Sequence, residues 1–447
     1  MRGWSETRRA HVLIGIISLI GFGFTLWVFY PGVMTFDAFY VYKDMAKHAY
    51  GDWQSPAMVA LWRLIDPIAP GSASILLLTA ALYWASFALI AAVIAHRSPW
   101  LALLLSLLGF SPPAFVLLGV IWRDILFGVA WLLATGLAFA VARSAPRVRL
   151  PFQILALALF AFGVLLRPNA LAAAPILAIY LLWPAQFNWR RAAIAYVPLA
   201  IAVFAFVQVV YYGMFHAERQ HPLHSIMVFD LGGISHFSGE NVFPGQWSPE
   251  QSRTIVSGCY KPIAWDIYWT QEPCMFVMQR LEREKLFGTS AVSGAWLRAV
   301  TSHPLAYLEH RFTFEWTFLA GKNLALWTRD LEDPDKIIFA DNARLMALKA
   351  VNDALNDTPL FRAGTWLLLD LALCLLVWRR RETPAGAFVI GVCGSGAVYL
   401  LSFLAVGVST DLRYAYWGVL AALAGGVAAG QSATKAELLH VQQTSAE

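Results

Sequence analysis

The chain has 447 residues, of which 59% are hydrophobic and 14% charged, with a mean hydropathy of +0.57 and a net charge of +5. A soluble chain carries about 25% charged residues, so this composition excludes an ordinary water-soluble domain and indicates a membrane protein. The basic residues are scattered over short loops rather than gathered in one stripe, which argues against a nucleic-acid partner.

The first apolar run, 11–30, follows Arg8 and Arg9 but no small-x-small cleavage site follows it. It reads as a retained helix rather than a signal peptide. Further membrane helices are expected at 73–95, 99–111, 123–142, 151–166, 170–185 and 192–212, then at 363–378, 385–406 and 414–430. The fold expected is an all-α polytopic membrane protein of about ten transmembrane helices. Three of these runs are short, beside breaks at Pro112-Pro113 and Pro168, which a bundle tolerates where they are buried in protein or line a cavity.

Residues 1–212 then form an N-terminal transmembrane module whose first outer loop is 31–72, and 363–430 supply the C-terminal helices. The polar segment 213–362 is expected to be an extracytoplasmic domain, mixed but mainly helical, with a helical patch at 292–318 and turns at Gly232-Gly233, Pro244-Gly245 and Asp333-Pro334-Asp335. Residues 431–447 read as a disordered cytoplasmic tail. Arg8, Arg9, Arg97, Arg143, Arg190, Arg191 and Arg379 to Arg381 cluster in alternate loops, whereas the other loops carry both signs. By the positive-inside rule both termini are cytoplasmic and loop 31–72 lies outside. Cys259 and Cys274 share the outer segment and could pair there.

On that outer side fall Asp37 and Asp52, with Lys43 between them, then Arg123-Asp124, Arg167-Pro168-Asn169 and Thr410-Asp411-Leu412-Arg413. Ionisable groups at membrane depth are costly and mark functional sites by default. Arginine binds phosphate bidentately, so three arginines beside carboxylates at a membrane surface suit a lipid-linked phosphate. Each residue also has a structural reading. Asp37 stands where it could cap a helix over 38–50. Ser55-Pro56 makes a good cap for a helix over 57–65, and interfacial arginines snorkel to headgroups. Asp370 lies mid-helix and is expected to hydrogen-bond inside the bundle. His221, His224, His236, His303 and His310 show no metal-ligand spacing. Trp27, Trp122, Trp183, Trp378 and Trp417 read as an interfacial belt.

The Asp after helix one, Gly51-Asp-Trp53-Gln-Ser-Pro56, Leu61-Trp62, Arg123-Asp124-Ile-Leu-Phe127, Arg167-Pro168-Asn169-Ala170, Thr410-Asp-Leu-Arg-Tyr414 and His303-Pro304 through Arg311 together resemble the GT-C class of polytopic glycosyltransferases, bacterial family-39-like members in particular. The resemblance covers about 11–430 through short motifs. It implies a bacterial inner-membrane enzyme that transfers one sugar, with inversion, from a polyprenyl-phosphate donor to a glycan, lipid or protein acceptor at the extracytoplasmic face. It further implies Asp37 as general base with Asp52 as the alternative. Arg123, Arg167 and Arg413, with Lys43, would hold the donor phosphate, and Asp124, Asn169 and Asp411 would support them. No cofactor is expected; the two aspartates could hold a divalent cation, but members using monophosphate donors usually need none. Relatives often have paired acids where Ala38 follows Asp37, and His where Gln54 stands. The alternatives are an O-antigen ligase or polymerase type using diphosphate-linked glycans, and a lipid-linked glycan transporter or flippase. A transporter would place its polar residues at the bilayer midplane.

Overall fold

A computed structural model describes residues 2–143, 146–321 and 343–431. The segment containing Asp333-Pro334-Asp335 and the tail 432–447 lie outside the described residues.

Helix α1 (Arg2–Phe29) leads into the first loop, which folds into two surface helices, α2 (Phe36–Lys47) and α3 (Pro56–Ile65). Ser55 caps α3, its Oγ accepting from Met58 N at 3.2 Å, with Pro56 at the first helical position. The bundle continues with α4 (Ser72–Ala95), α5 (Pro99–Leu108), α6 (Arg123–Val141), α7 (Pro146–Leu166), α8 (Ala174–Leu182) and α9 (Trp189–Gln208), the last extended by a π turn, Val209–Met214. Next come α10 (Leu223–Ser238), then the shorter helices Pro249–Thr254, Ile267–Thr270 and Phe276–Arg283, then α11 (Ser290–Ser302) and α12 (Pro304–Ala320), with α13 (Ala343–Leu355) beginning the next described stretch. Helices α14 (Ala363–Val377), α15 (Pro384–Val406) and α16 (Tyr416–Ala429) close the bundle.

Among the described residues, six helices are long and apolar enough to cross a membrane: Glu6–Phe29, Ser72–Ala95, Arg123–Val141, Arg149–Leu166, Trp189–Met214 and Pro384–Val406. The expectation of ten is therefore corrected. The runs expected at 99–111, 170–185, 363–378 and 414–430 form helices of 10, 9, 15 and 14 residues. At 1.5 Å per residue, roughly 14–22 Å, they fall short of the ~30 Å hydrocarbon layer. Prolines and 3-10 turns cause the shortening: Ser111-Pro112-Pro113 follows α5, the turn Pro168–Ala172 precedes α8, and the turn Leu412–Ala415 precedes α16. Hydropathy alone does not register such breaks.

The described part of the segment 213–362 is not mixed either. Among the described residues no strand forms, and the β-like pairings are isolated bridges, Val33 with Val120, Gly51 with Glu218 and Ala264 with Ser409. The Gly232-Gly233 pair, read as a turn, lies inside α10. There the glycines admit close neighbours: a Cβ at Gly232 would sit 1.8 Å from the Tyr268 hydroxyl, and one at Gly233 would sit 2.2 Å from the His310 ring. Cys259 and Cys274 are joined in a disulfide. The helical patch expected at 292–318 is two helices, because His303-Pro304 separates α11 from α12.

Candidate active site

The ends of several bundle helices and the first loop converge on one side of the bundle. Val33 N donates to Gly119 O at 2.9 Å, and Ile121 N to Val33 O at 2.9 Å, so the loop after α1 is stitched to the segment entering α6. Residues 263–265 are clipped to the segment entering α16, with Trp265 N donating to Val408 O at 2.9 Å and Thr410 N to Ile263 O at 3.0 Å.

Within this frame Asp37 lies in the first turn of α2. It does not cap: Thr35 holds the cap position and makes no side-chain capping bond. The Asp37 carboxylate instead accepts from Arg413 Nη1 at 2.7 Å, yet its side chain stays 43% exposed. It opens on a small cleft also lined by Gln54, Met58, Trp122, Arg123 and Asp124. Arg413 is held by further contacts. Its backbone N donates to Asp411 Oδ1 at 3.0 Å, its Nη2 to the Tyr414 hydroxyl at 2.9 Å, and its guanidinium lies 4.6 Å over the Trp122 ring. Burial pushes the Asp37 carboxyl up, but Arg413, with Arg123 and Arg167 behind it, outweighs that and holds it below the ordinary 3.8. Burial raises Asp411 despite the neighbouring Arg413.

Arg123 lines the same cleft. Its Nη1 donates to Trp53 O at 2.9 Å, which leaves other donors of a five-donor group facing the cleft. Arg167 is differently placed. Its Nε pairs with Asp124 Oδ1 at 3.0 Å, both side chains almost fully buried, and its guanidinium lies 4.7 Å over the Tyr414 ring. The structure thus brings Asp37, Arg123, Asp124, Arg167, Asp411 and Arg413 together.

Three expected site residues stand apart. Asp52 accepts from the Tyr212 hydroxyl at 2.7 Å and from Gln220 N at 2.6 Å, fastening the first loop to the chain beyond α9. Lys43 stacks over Phe39 at 4.3 Å, and Asn169 is exposed. Among the described residues no group of three or more His, Cys, Asp or Glu could hold a metal ion.

Other assignments change. Trp122 and Trp417 are not belt residues: both are buried, with Trp122 Nε1 donating to Thr35 Oγ1 at 2.7 Å and Trp417 Nε1 to Ser395 Oγ at 3.1 Å. Asp370 is buried inside the bundle beside the Cys393 thiol, where a Cβ on Gly396 would meet its Oδ2 at 2.5 Å. His310 is buried between Asp230, 3.1 Å from Nε2, and the Tyr260 hydroxyl, 2.9 Å from Nδ1.

Gln54, noted in the sequence as standing where relatives often have His, lies buried in the cleft wall. Asp266, beside the 263–265 clip, escaped the sequence reading; desolvation raises its pKa, and the Asp37 carboxylate adds to that. No motif surrounds it.

Fold and site together define a multi-pass, all-α membrane protein with an arginine-carboxylate cleft at one end of its bundle. No family model matches the chain, and no curated protein matches it. Among solved structures it is similar to the Archaeoglobus fulgidus oligosaccharyltransferase in the apo form, at 14% identity and a TM-score of 0.37. That likeness covers 98% of this chain and 54% of the other, so the chain spans about half the length of that protein.

Proposed function

We propose that this protein is a membrane glycosyltransferase of the GT-C kind, moving one sugar from a polyprenyl-phosphate donor to a glycan, lipid or protein acceptor. The observation that carries the reading is the half-exposed Asp37 carboxylate, set at the cleft between the guanidinium groups of Arg413 and Arg123. The acceptor hydroxyl attacks the anomeric carbon, and its proton passes to Asp37 as the new C–O bond forms. The bond from the anomeric carbon to the phosphate oxygen breaks with inversion, and the phosphate leaves with the electron pair. Arg123 and Arg413 stabilise the charge gathering there. An anionic donor beside those cations also opposes their pull on Asp37, so the base strengthens as the donor binds.

The cleft lies at the ends of the spans away from Arg97, Arg143, Arg190 and Arg379, which favours an extracytoplasmic site in a bacterial inner membrane with cytoplasmic termini. Arg167 acts at a distance, through its pair with Asp124. Lys43 and Asn169 lie outside the cleft and take no part. Asp52 serves to hold the loop.

The test is sugar transfer in vesicles given labelled polyprenyl-monophosphate or polyprenyl-diphosphate donors, with wild type and Asp37→Asn. Transfer from the monophosphate donor alone, abolished in the variant at unchanged expression and membrane insertion, is the expected result. Near-wild-type transfer by the variant would overturn the assignment of the base, and transfer only from the diphosphate donor would overturn the donor class.

A further inference from the structure

Helix α12 (Pro304–Ala320) has its polarity inside out for a helix in water. Its buried side carries His310, Arg311 and Glu315 beside Ala306, Phe314 and Phe318. Its exposed side carries Leu305, Leu308, Phe312 and Trp316, at spacings of three and four that set them on one stripe. Leu305 is 79% exposed, Phe312 59% and Trp316 73%. A water-facing helix presents its polar side outward, and contiguous apolar patches of this kind mark an interaction surface.

What borders the stripe decides its occupant. Helix α12 packs against α10 on one side and against α14 and α15 of the bundle on the other. Phe318 stacks on Phe403, near the end of α15, at 4.9 Å, and Arg362 Nη1 bonds Ala320 O. A Cβ on Gly364, at the start of α14, would lie 2.9 Å from Leu319 O. The last turn of α12 is therefore level with the first turn of α14, whose Leu368, Leu369, Leu371, Leu375 and Leu376 form an exposed apolar surface continuing into the bundle. Moving back along α12, Glu309 enters the stripe about 10 Å before Trp316, at 1.5 Å per residue. That carboxylate puts a charge on the exposed face, with Leu305 one turn beyond it on the side away from Trp316.

We propose that the exposed face of α12 is immersed in the bilayer leaflet on the side of the cleft, with acyl chains against Phe312 and Trp316 and headgroups at Glu309. The segment after α9 is thereby an appendage partly sunk in lipid, which fixes the clip at 263–265 at a set height over Arg413. The inference is independent of the reaction assigned to the cleft.

The test places single nitroxide labels at Leu308→Cys, Glu309→Cys, Phe312→Cys and Trp316→Cys, with Glu250→Cys, exposed in the short polar helix Pro249–Thr254, as reference, in a Cys374→Ser background; Cys393 is buried. The full chain is reconstituted in phospholipid nanodiscs, and collision with oxygen is compared with collision with a water-soluble nickel chelate. Oxygen should dominate at 312 and 316, balance the chelate near 309, and yield to it at 250. Dominance of the chelate at 312 and 316 would show a water-facing helix and overturn the proposal. Low access to both reagents would show a protein partner there, and would overturn it equally. Leu308→Cys, one residue farther from Trp316 than Glu309, should match the balance at 309 and keeps the gradient readable where that variant expresses poorly.

Discussion

Arg413 donates from Nη1 to the Asp37 carboxylate at 2.7 Å, joining the first turn of α2 to the 3-10 turn ahead of α16 across 376 residues of sequence. The pair sets the charge of the proposed base. Desolvation by itself would raise Asp37; the Arg413 cation, then Arg123 and Arg167, reverse the sign and hold it below 3.8. A carboxylate depressed in this way stays ionised until the pH falls below its ordinary range, so the acid limb of transfer should lie below about pH 4 in wild type. Arg413→Gln removes the largest lowering contribution and leaves the desolvation. The acid limb should then move up in pH, beyond whatever overall loss of rate the variant shows. A pH profile of kcat/KM measures this, and a limb that stays in place would mean Arg413 does not govern Asp37.

The two other arginines should separate by what their loss affects. Arg167 and Asp124 form a buried ion pair at 3.0 Å, and removing one partner of such a pair costs about 3–5 kcal/mol because a charge is left uncompensated. Arg167→Met should therefore lower the thermal unfolding midpoint strongly, and adding Asp124→Leu should recover much of it. Arg123 donates to the Trp53 carbonyl, its one hydrogen bond among the described residues, and lines the cleft. Arg123→Gln should leave stability near wild type and raise the donor KM by roughly 10–100-fold, the equivalent of ~1.5–3 kcal/mol for a hydrogen bond to a charged group. Equal stability losses in the two variants would refute the division of labour. Thermal melts in detergent and donor titrations decide it.

Which of these relations the sequence could disclose follows from their range. Ser55-Pro56 is a local signal, and the cap it announces forms. That Asp37, Arg123, Arg167 and Arg413 share one side follows from the parity of apolar runs, although four of those runs proved too short to cross. The pairing within the group is another matter. Whether Arg413 or Arg167 takes Asp37 depends on the angle at which the turn Leu412–Ala415 enters the cleft, which no spacing encodes. Asp52 and Asp37 look alike in sequence, and only the return of the chain at Tyr212 and Gln220 commits Asp52 to holding the loop. Gly232-Gly233 misled because glycine serves both turns and close helix contacts; the Tyr268 and His310 side chains that choose between them are distant in sequence.

Glu315 gives a stability prediction that does not depend on the reaction. It is 7% exposed, neither carboxylate oxygen has a hydrogen-bond partner among the described residues, and burial pushes its pKa up to about 8. Arg311, the nearby cation, opposes this only in part, because its guanidinium is engaged by Asp230 at 2.6 Å and the Gly407 carbonyl at 2.8 Å. Below the unfolded value of 4.5, both folded and unfolded chains carry the proton and Glu315 adds no pH dependence. Between 4.5 and about 8 the unfolded chain has lost it while the folded chain keeps it, so the unfolded state binds fewer protons and stability falls as pH rises. The slope approaches ~1.4 kcal/mol per pH unit for one group at most. Glu315→Gln keeps the shape without the titration. Its thermal midpoint should match wild type near pH 5, exceed it at pH 8, and show a flatter decline between. Unfolding scans in detergent across that range test this, and an unchanged slope in the variant would mean that Glu315 is ionised in the folded protein.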